Sequence, residues 1–307
     1  MLKKMKNLIS KVRLISSIDT RLGQIEKELE DLKILCGSIH SQVNNGPVGP
    51  GLRKQEFKVF SQFGDDGIIQ YLTTNIPILH KTFIEFGVED FSESNCRFLM
   101  MKNNWEGFVI DGSEENIKRL KENAVVWKYN LMAEHSFISK ENINELLDKS
   151  KFDYDVGIMS IDLDGVDYWI WKEIKDYRPR ILIIEYNAVF GSTNQWTVPY
   201  QSVFQRTNAH YSRLYSGASL PALYELGMKK GYEFIGTNSA GNNAYFVRRD
   251  INTVAPSGIA DAFNDSKFRE SRDEYGNLTF VSGDDRLALI KGMPVYNTRT
   301  NQIETIT

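Results

Sequence analysis

Cysteine is nearly absent from this chain of 307 residues: Cys36 and Cys96 stand alone, in no C-x-x-C pair. Four histidines, His40, His80, His135 and His210, form no H-E-x-x-H. A disulfide scaffold is therefore not expected, and zinc chemistry has no support. No apolar run approaches the roughly 20 residues of a membrane-spanning helix. The opening M-L-K-K-M-K-N-L-I-S-K lacks the apolar core of a signal peptide, so a cytoplasmic protein without a transmembrane segment is expected. A large excess of one charge is missing too. With 37 basic and 40 acidic residues the net charge is -3, which argues against a nucleic-acid partner. What is present, 41% hydrophobic and 25% charged residues, suits a substantial folded core and excludes disorder or a collagenous fibre.

The charge is unevenly spread. Lys3, Lys4, Lys6, Lys11 and Arg13 all precede the first acid, Asp19, a basic head that suits peripheral contact with anionic lipid at the inner membrane surface, although such a charge run is more often simply solvated. From Ile15 to Val43 apolar residues alternate three and four apart. Ile15, Leu22, Leu29, Cys36 and Val43 take position a of a heptad, and Ile18, Ile25, Leu32 and Ile39 take position d. This seam predicts a coiled-coil helix that makes a homo-oligomer through residues 15–43, and leucine at a with isoleucine at d leans towards more than two strands. The same pattern fits one amphipathic helix laid on its own globule, and Gly23 and Gly37 each weaken a helix by about 1 kcal/mol relative to alanine. Asn44 to Gly51, N-N-G-P-V-G-P-G, cannot continue the helix. The expected organisation is a basic head and helix over 1–45, a linker over 46–56, a catalytic domain over 57–250 and an extension of unassigned role over 251–307.

Beyond the break, strand-like runs alternate with helical patterns. The runs are Thr82–Phe86, Gly107–Ile110, Val156–Ile161 and Ile181–Ile184, each followed by enough chain for a crossover helix. Gly231–Gly236 and Asn243–Val247 are joined too tightly for a crossover and must form an antiparallel hairpin. The expected fold is a doubly wound, mostly parallel seven-stranded α/β sheet closed by an antiparallel hairpin, which is the Rossmann-like signature of class I methyltransferases.

Three strand ends carry the chemistry. F-I-E-F-G-V-E-D, Phe83 to Asp90, runs a buried strand into a glycine turn, where backbone can approach a ligand at the carboxyl edge of the sheet. It is not G-x-G-x-x-G, and its acids would repel a pyrophosphate yet accept a ligand bearing positive charge and ribose hydroxyls. The next strand ends V-I-D-G-S, so Asp111, followed by Gly112 and Ser113, stands about 25 residues further on, where a ribose-binding carboxylate belongs. Asp111 or Ser113 equally suits capping of a helix that starts near Glu114. Third, S-I-D-L-D-G-V-D-Y supplies Asp162, Asp164 and Asp167, and I-I-E-Y-N supplies Glu185. These are hard oxygen donors fit for Mg²⁺, with Asp164, Asp167 and Glu185 the metal candidates. Without metal, Asp162 fits a general base or a partner for a cofactor amine, while Asp164 and Asp167 fit helix capping.

Between Asn187 and Gly217 lies a polar stretch too long for a tight connection. Its Trp196, Tyr200, Phe204, Tyr211 and Tyr215, interleaved with Gln195, Gln201, Arg206, Asn208 and Arg213, suit a sugar or phosphosugar and equally suit a satellite core. His210 is a candidate base, because its pKa lies near neutrality.

With S-Q-F-G-D-D-G-I-I (Ser61 to Ile69), G-A-S-L-P-A-L (Gly217 to Leu223) and G-N-N-A-Y-F-V added to these blocks, the sequence from about Phe60 to Arg249 resembles the FkbM-like S-adenosylmethionine-dependent methyltransferases. Many of that family modify cell-surface polysaccharides or secondary metabolites. The resemblance implies O-methylation of a sugar hydroxyl of a capsule, an O-antigen or a precursor. It implies that Glu85, Gly87, Asp90, Ser94, Asn95 and Asp111 surround S-adenosylmethionine, with Asp162 at its methionine end; Val88, Gly112 and Ser113 stand beside them in the same blocks as further cofactor candidates, and Asp162, Asp164 and His210 are the catalytic candidates. D-G-V-D-Y also looks like the acidic block of Mg²⁺-dependent sugar O-methyltransferases. One departure stands out: Phe91 occupies a position where the family often has glycine. A competing expectation follows from it, a catalytically inactive scaffold that oligomerises through the N-terminal helix. A nucleotide-sugar or dinucleotide enzyme lacks its phosphate-cradling glycines.

Overall fold

The computed structural model describes residues 2–43 and 51–307, with only the backbone described for 2–10 and 12. The first half of the expected linker, residues 46–50, therefore lies outside the described residues. Its end, Leu52–Gln55, forms a 3-10 turn with Leu52 and Gln55 buried.

The strands are β1 Thr82–Phe86, β2 Glu106–Asp111, β3 Leu131–His135, β4 Ile158–Ile161, β5 Ile181–Glu185, β6 Trp196–Thr197, β7 Tyr232–Thr237, β8 Asn243–Arg248, β9 Pro294–Asn297 and β10 Gln302–Thr305. Seven build the main sheet in the order β3-β2-β1-β4-β5-β8-β7. β1 to β5 run parallel, whereas β8 is antiparallel to both β5 and β7. This is the class I methyltransferase architecture expected from the sequence. Alternate side chains of each strand enter opposite cores, as a two-residue period requires. Ile84, Phe86, Met159, Ile161, Leu182 and Ile184 pack with Trp171 on one face. Phe83, Val109, Ile158, Ile181, Ile183 and Val247 pack with Ile68 and Leu72 on the other.

Two features depart from the sequence expectation. β3 was not among the expected runs; it is an edge strand, partly exposed, whose L-M-A-E-H has no β-branched residue. The C-terminal extension, whose Tyr275–Val281 reads in the sequence as a turn with a short strand, forms no strand there beyond a single bridge between Arg272 and Leu278. Instead β9 and β10 make an antiparallel hairpin that pairs with β6 of the long insertion. Ile290, Val295 and Ile306 are buried in the same core as β4 and β5, which packs the extension into the globule.

The S-Q-F-G-D-D-G block is a structural knot. Asp66 Oδ2 accepts the N–H groups of Val59, Phe60 and Ser61 and the Ser61 hydroxyl at 2.7–2.9 Å. Asp65 Oδ1 accepts from Asn238, Asn243 and the Tyr245 hydroxyl, tying the helix Asp65–Asn75 to the β7–β8 hairpin.

The N-terminal helix spans Leu2–Val43. Its C-terminal part docks on the globule through positions b and f. Glu30 pairs with Arg97, Ile34 packs by Val59, Phe60 and Phe98, and Ser41 accepts from Lys102 at 2.6 Å. Gly37 allows this approach: a Cβ there would lie 2.5 Å from Val59 and 2.8 Å from Phe98. The glycine that weakens the isolated helix is thus what lets it dock. The a and d seam faces away, with Ile15, Leu22, Leu29 and Ile39 each at least half exposed, so the apolar stripe does not lie on its own globule.

Burial outweighs the bonds to Asp66 and raises its pKa to about 6. The folded chain therefore holds that proton more tightly than the unfolded chain, and this contribution to stability is full below about pH 4 and declines as pH rises to about 6. Asp66→Asn, whose amide oxygen accepts the same bonds, should remove that decline relative to the parent in urea unfolding across this range. Asp66→Ala, which orphans three buried N–H groups, should lose about 3 kcal/mol or more.

Candidate functional site

The parallel strands bring their carboxyl ends to one edge, and strand order reverses between β1 and β4, so a crevice must open there. A cavity of ≈ 570 Å³ occupies it, lined by Glu85, Gly87, Asn95, Asp111, Gly112 and Asp162 from the expected cofactor set. The chain leaving β1 crosses the end of β4 at Gly87, with φ +70°. A Cβ at Gly87 would lie 1.8 Å from the Asp162 carbonyl oxygen, so no other residue fits.

Carboxylates hold the loop after β1 in place. Glu85, buried on β1, accepts from the Ser94 hydroxyl at 2.7 Å and from the N–H groups of Asn95 and Cys96 at 2.8 and 3.2 Å. Burial nevertheless raises its pKa above the usual carboxylate range. At the end of β2, Asp111 accepts from the N–H groups of Glu89 and Ser113, both at 2.8 Å, joining the β1 and β2 loops. Of the two roles open to Ser113, the structure gives it the helix cap, through Asn116 N–H at 3.3 Å. Val88 is buried in the core, Ser94 faces Glu85, and Asp90 accepts from Ser92 N–H; these three and Ser113 do not line the cavity, because the loop uses them to shape itself.

Phe91 takes a left-handed conformation of the kind glycine favours, φ 66°, with its ring stacked on Phe83. A left-handed backbone costs a non-glycine residue about 1–2 kcal/mol, which burial of an aromatic ring offsets. Glu89 and Asp164, at φ 49° and 52°, are also left-handed and line the cavity, so strain gathers at this edge.

Asp162, Asp164 and Glu185 converge, each presenting an oxygen within 4.8 Å of the others. Burial, then the charges of Asp164, Asp167 and Glu85, push Asp162 well above the usual range. Burial, then Asp162, Asp164 and Asp167, do the same to Glu185. A hard divalent cation would relieve both, and three carboxylate oxygens are the donors it takes. Asp167, expected among the ligands, points elsewhere: its oxygens accept from Leu163 N–H at 2.8 Å and Gly165 N–H at 3.1 Å, shaping the loop after β4. Asp162 stands in its place.

The insertion divides between wall and core. Phe204, Arg206 and Arg213 line the cavity. Trp196 belongs to β6 and donates to Glu304 at 3.1 Å, Tyr200 bonds Glu141 and Lys140, and Tyr215 is buried, donating to Pro294. His210 does not line the cavity: its Nδ1 faces the Ser212 hydroxyl at 2.8 Å and its ring lies on Tyr211. That local pairing argues against its role as the base. Sequence reasoning missed Ser136 and Phe137 after β3, Asn242 in the β7–β8 turn, and Phe268, Glu270 and Arg286 of the extension. Recognition of β3 would have found the first pair, since every parallel strand ends at this edge; the others have no local signal.

Neither a protein-family model nor a curated protein matches the chain by sequence. Among solved structures it is similar to the N-terminal domain of EvdMO1 with SAH bound, at 11% identity and TM-score 0.38 over 61% of this chain and 80% of that one. It is also similar to an O-methyltransferase from Bacillus cereus in complex with SAH, at 12% identity and TM-score 0.39 over 70% and 88%. A third is a S-adenosylmethionine-dependent methyltransferase from Clostridium acetobutylicum, at 8% identity and TM-score 0.38 over 60% and 89%. Overlaps this loose carry no functional weight. The architecture rests on the strand order and the antiparallel β8.

Gly87→Ala should destabilise the protein by at least about 3 kcal/mol, since backbone opposes the new methyl on a left-handed residue. Chemical denaturation of the variant beside the parent checks this.

Proposed function

We propose that the chain is an S-adenosylmethionine-dependent O-methyltransferase acting on a sugar hydroxyl of a surface polysaccharide or its precursor. The observation that carries this reading is the acid-lined cavity at the β1–β4 switch point, with one glycine at the closest approach and Asp111 at the end of β2. Acids in place of phosphate-cradling glycines favour a cationic ligand over a pyrophosphate. Asp111 and Gly112 would hold the ribose, Phe137 offers an aromatic face beside Gly112 for the adenine, and Asp162 would hold the ammonium of the methionine moiety or take a proton.

When bound, the cofactor supplies a methyl group on a sulfonium, whose carbon–sulfur bond breaks as the acceptor oxygen bonds to carbon. The chain's residues must align that oxygen and remove its proton. Asp162 lines the cavity at the end of β4 and is placed to take the proton once a cation bound at this edge offsets the burial and the neighbouring acids that otherwise keep it protonated. Phe204, Arg206 and Arg213 form the acceptor wall. Asp162, Asp164 and Glu185 would hold Mg²⁺, which when bound polarises a hydroxyl. Asp164 also pairs with Arg206 at 2.9 Å, linking the acidic edge to the acceptor wall.

Titration calorimetry with S-adenosylmethionine is expected to give saturable binding and NAD none; a chain that binds neither would leave the inactive-scaffold reading. Asp162→Ala should abolish methyl transfer while keeping the parent's thermal transition, and near-normal turnover would remove Asp162 from the mechanism. Chelator should weaken transfer and Mg²⁺ restore it.

The N-terminal helix is read as a parallel, in-register self-association element. Its seam is exposed and the globule occupies the opposite positions b and f, which face outward in a coiled coil. Parallel register would set Arg21 at g against Glu26 at e of the second copy, and Glu28 at g against Lys33 at e, both opposite in charge. It would also gather the basic heads at one end, towards an anionic membrane surface. Cys36, exposed at position a, would face its counterpart, whereas Cys96 is buried. Mild oxidation of the full chain should yield a disulfide-linked dimer that Cys36→Ser abolishes. Leu22→Asp with Leu29→Asp should yield a monomer by light scattering; a parent that is already monomeric overturns the reading.

A further inference from the structure

The acids at the sheet edge face a cavity whose remaining lining carries three arginines. Arg206 and Arg213 come from the insertion and Arg286 from the extension, and all three line the cavity. Glu270 is held by Arg213 and Arg272, each at 3.0 Å, with Arg206 at 4.0 Å, and Arg206 reaches Asp164 at 2.9 Å. Three guanidiniums thus share two carboxylates. Arg286 is the one left over. Its Nε is buried with no hydrogen-bond partner, and its guanidinium makes no ion pair among the described residues. Burial and the neighbouring Arg206 lower its pKa, while Asp265 acts on it only from beyond ion-pair distance. A buried donor without a partner is costly, the more so on a charged group, and an arriving anion would offset that cost.

We propose that Arg286, with Arg206 and Arg213, forms a subsite for an oxyanion, phosphate or carboxylate, carried by the acceptor, so that the substrate is an acidic sugar rather than a neutral one. The inference rests on the methyltransferase reading for the name acceptor, but the anion site stands on the arginines themselves. A planar guanidinium matches either oxyanion with paired hydrogen bonds. The subsite also accounts for the extension, which completes the acceptor wall that the sheet and insertion leave open.

The test is calorimetric titration of the full chain with glucose 1-phosphate, glucuronate and glucose, with and without SAH. At least one charged sugar should bind about tenfold or more tightly than glucose, and Arg286→Gln should erase that preference. Arg286→Lys, which keeps the charge and loses the fork, should recover part of it. Preference for glucose 1-phosphate identifies a phosphate, and preference for glucuronate a carboxylate. Equal binding of all three sugars overturns the proposal, as does unchanged affinity in Arg286→Gln. The SAH titration of the same variant serves as the control. Parent-like SAH affinity shows that the fold is intact, and failure of SAH to bind even the parent would count against the methyltransferase reading while leaving the anion preference to be read by itself.

Discussion

One crossing organises this molecule. The chain leaving β1 passes so close to the carbonyl of Asp162 at the end of β4 that only a residue without a side chain can stand at Gly87. That approach brings the β1 loop over the switch point, and the loop is then tied down from both sides, by Glu85 through Ser94, Asn95 and Cys96 and by Asp111 through Glu89. Asp111, Asp162 and Glu185 share one crevice because the three strand ends that carry them are held at this edge. The Phe91 departure fits the same constraint. Since loop geometry is fixed by these contacts, a phenylalanine can adopt the glycine-like conformation at a cost its buried ring offsets.

Electrostatics divides the cavity into two ends. Carboxylates crowd the sheet edge, where burial and mutual repulsion keep Asp162 and Glu185 protonated to unusually high pH. Guanidiniums crowd the wall built by the insertion and the extension, and Arg206 with Asp164 is the seam between them. An acidic pole suits a sulfonium ligand or a metal ion, and a basic pole suits an anionic acceptor. Each would lower the cost of charges that the fold holds close together.

Much of the sheet was legible. Six of its seven strands carry the apolar runs that buried strands require, and the short connection between β7 and β8 forced an antiparallel hairpin. β3 escaped because an edge strand with half its surface in water needs neither alternation nor β-branching. The acids at strand ends were legible as a group, since strand ends in a parallel sheet share an edge. Their separate roles were not: Asp167 and Ser113 turned to neighbouring N–H groups, and Ser94 turned to Glu85. His210 suits a base by its intrinsic pKa alone, and its pairing with Ser212 depends on a local turn that composition does not reveal.

The heptad period of residues 15–43 and the hydrophobic runs beyond the break determine, by themselves, a helix with an apolar stripe and a parallel sheet with acids at its carboxyl edge, because both follow from periodicities of three to four and of two residues. Only the tertiary structure decided which face of the helix meets the globule. Position b carries Gly37, and close packing selects shape over hydrophobicity. Only the tertiary structure, too, brought Arg286 across from the far end of the chain to stand with Arg206 and Arg213. A cavity wall is assembled from segments distant in sequence, and the charge it presents arises when the folded chain closes around it.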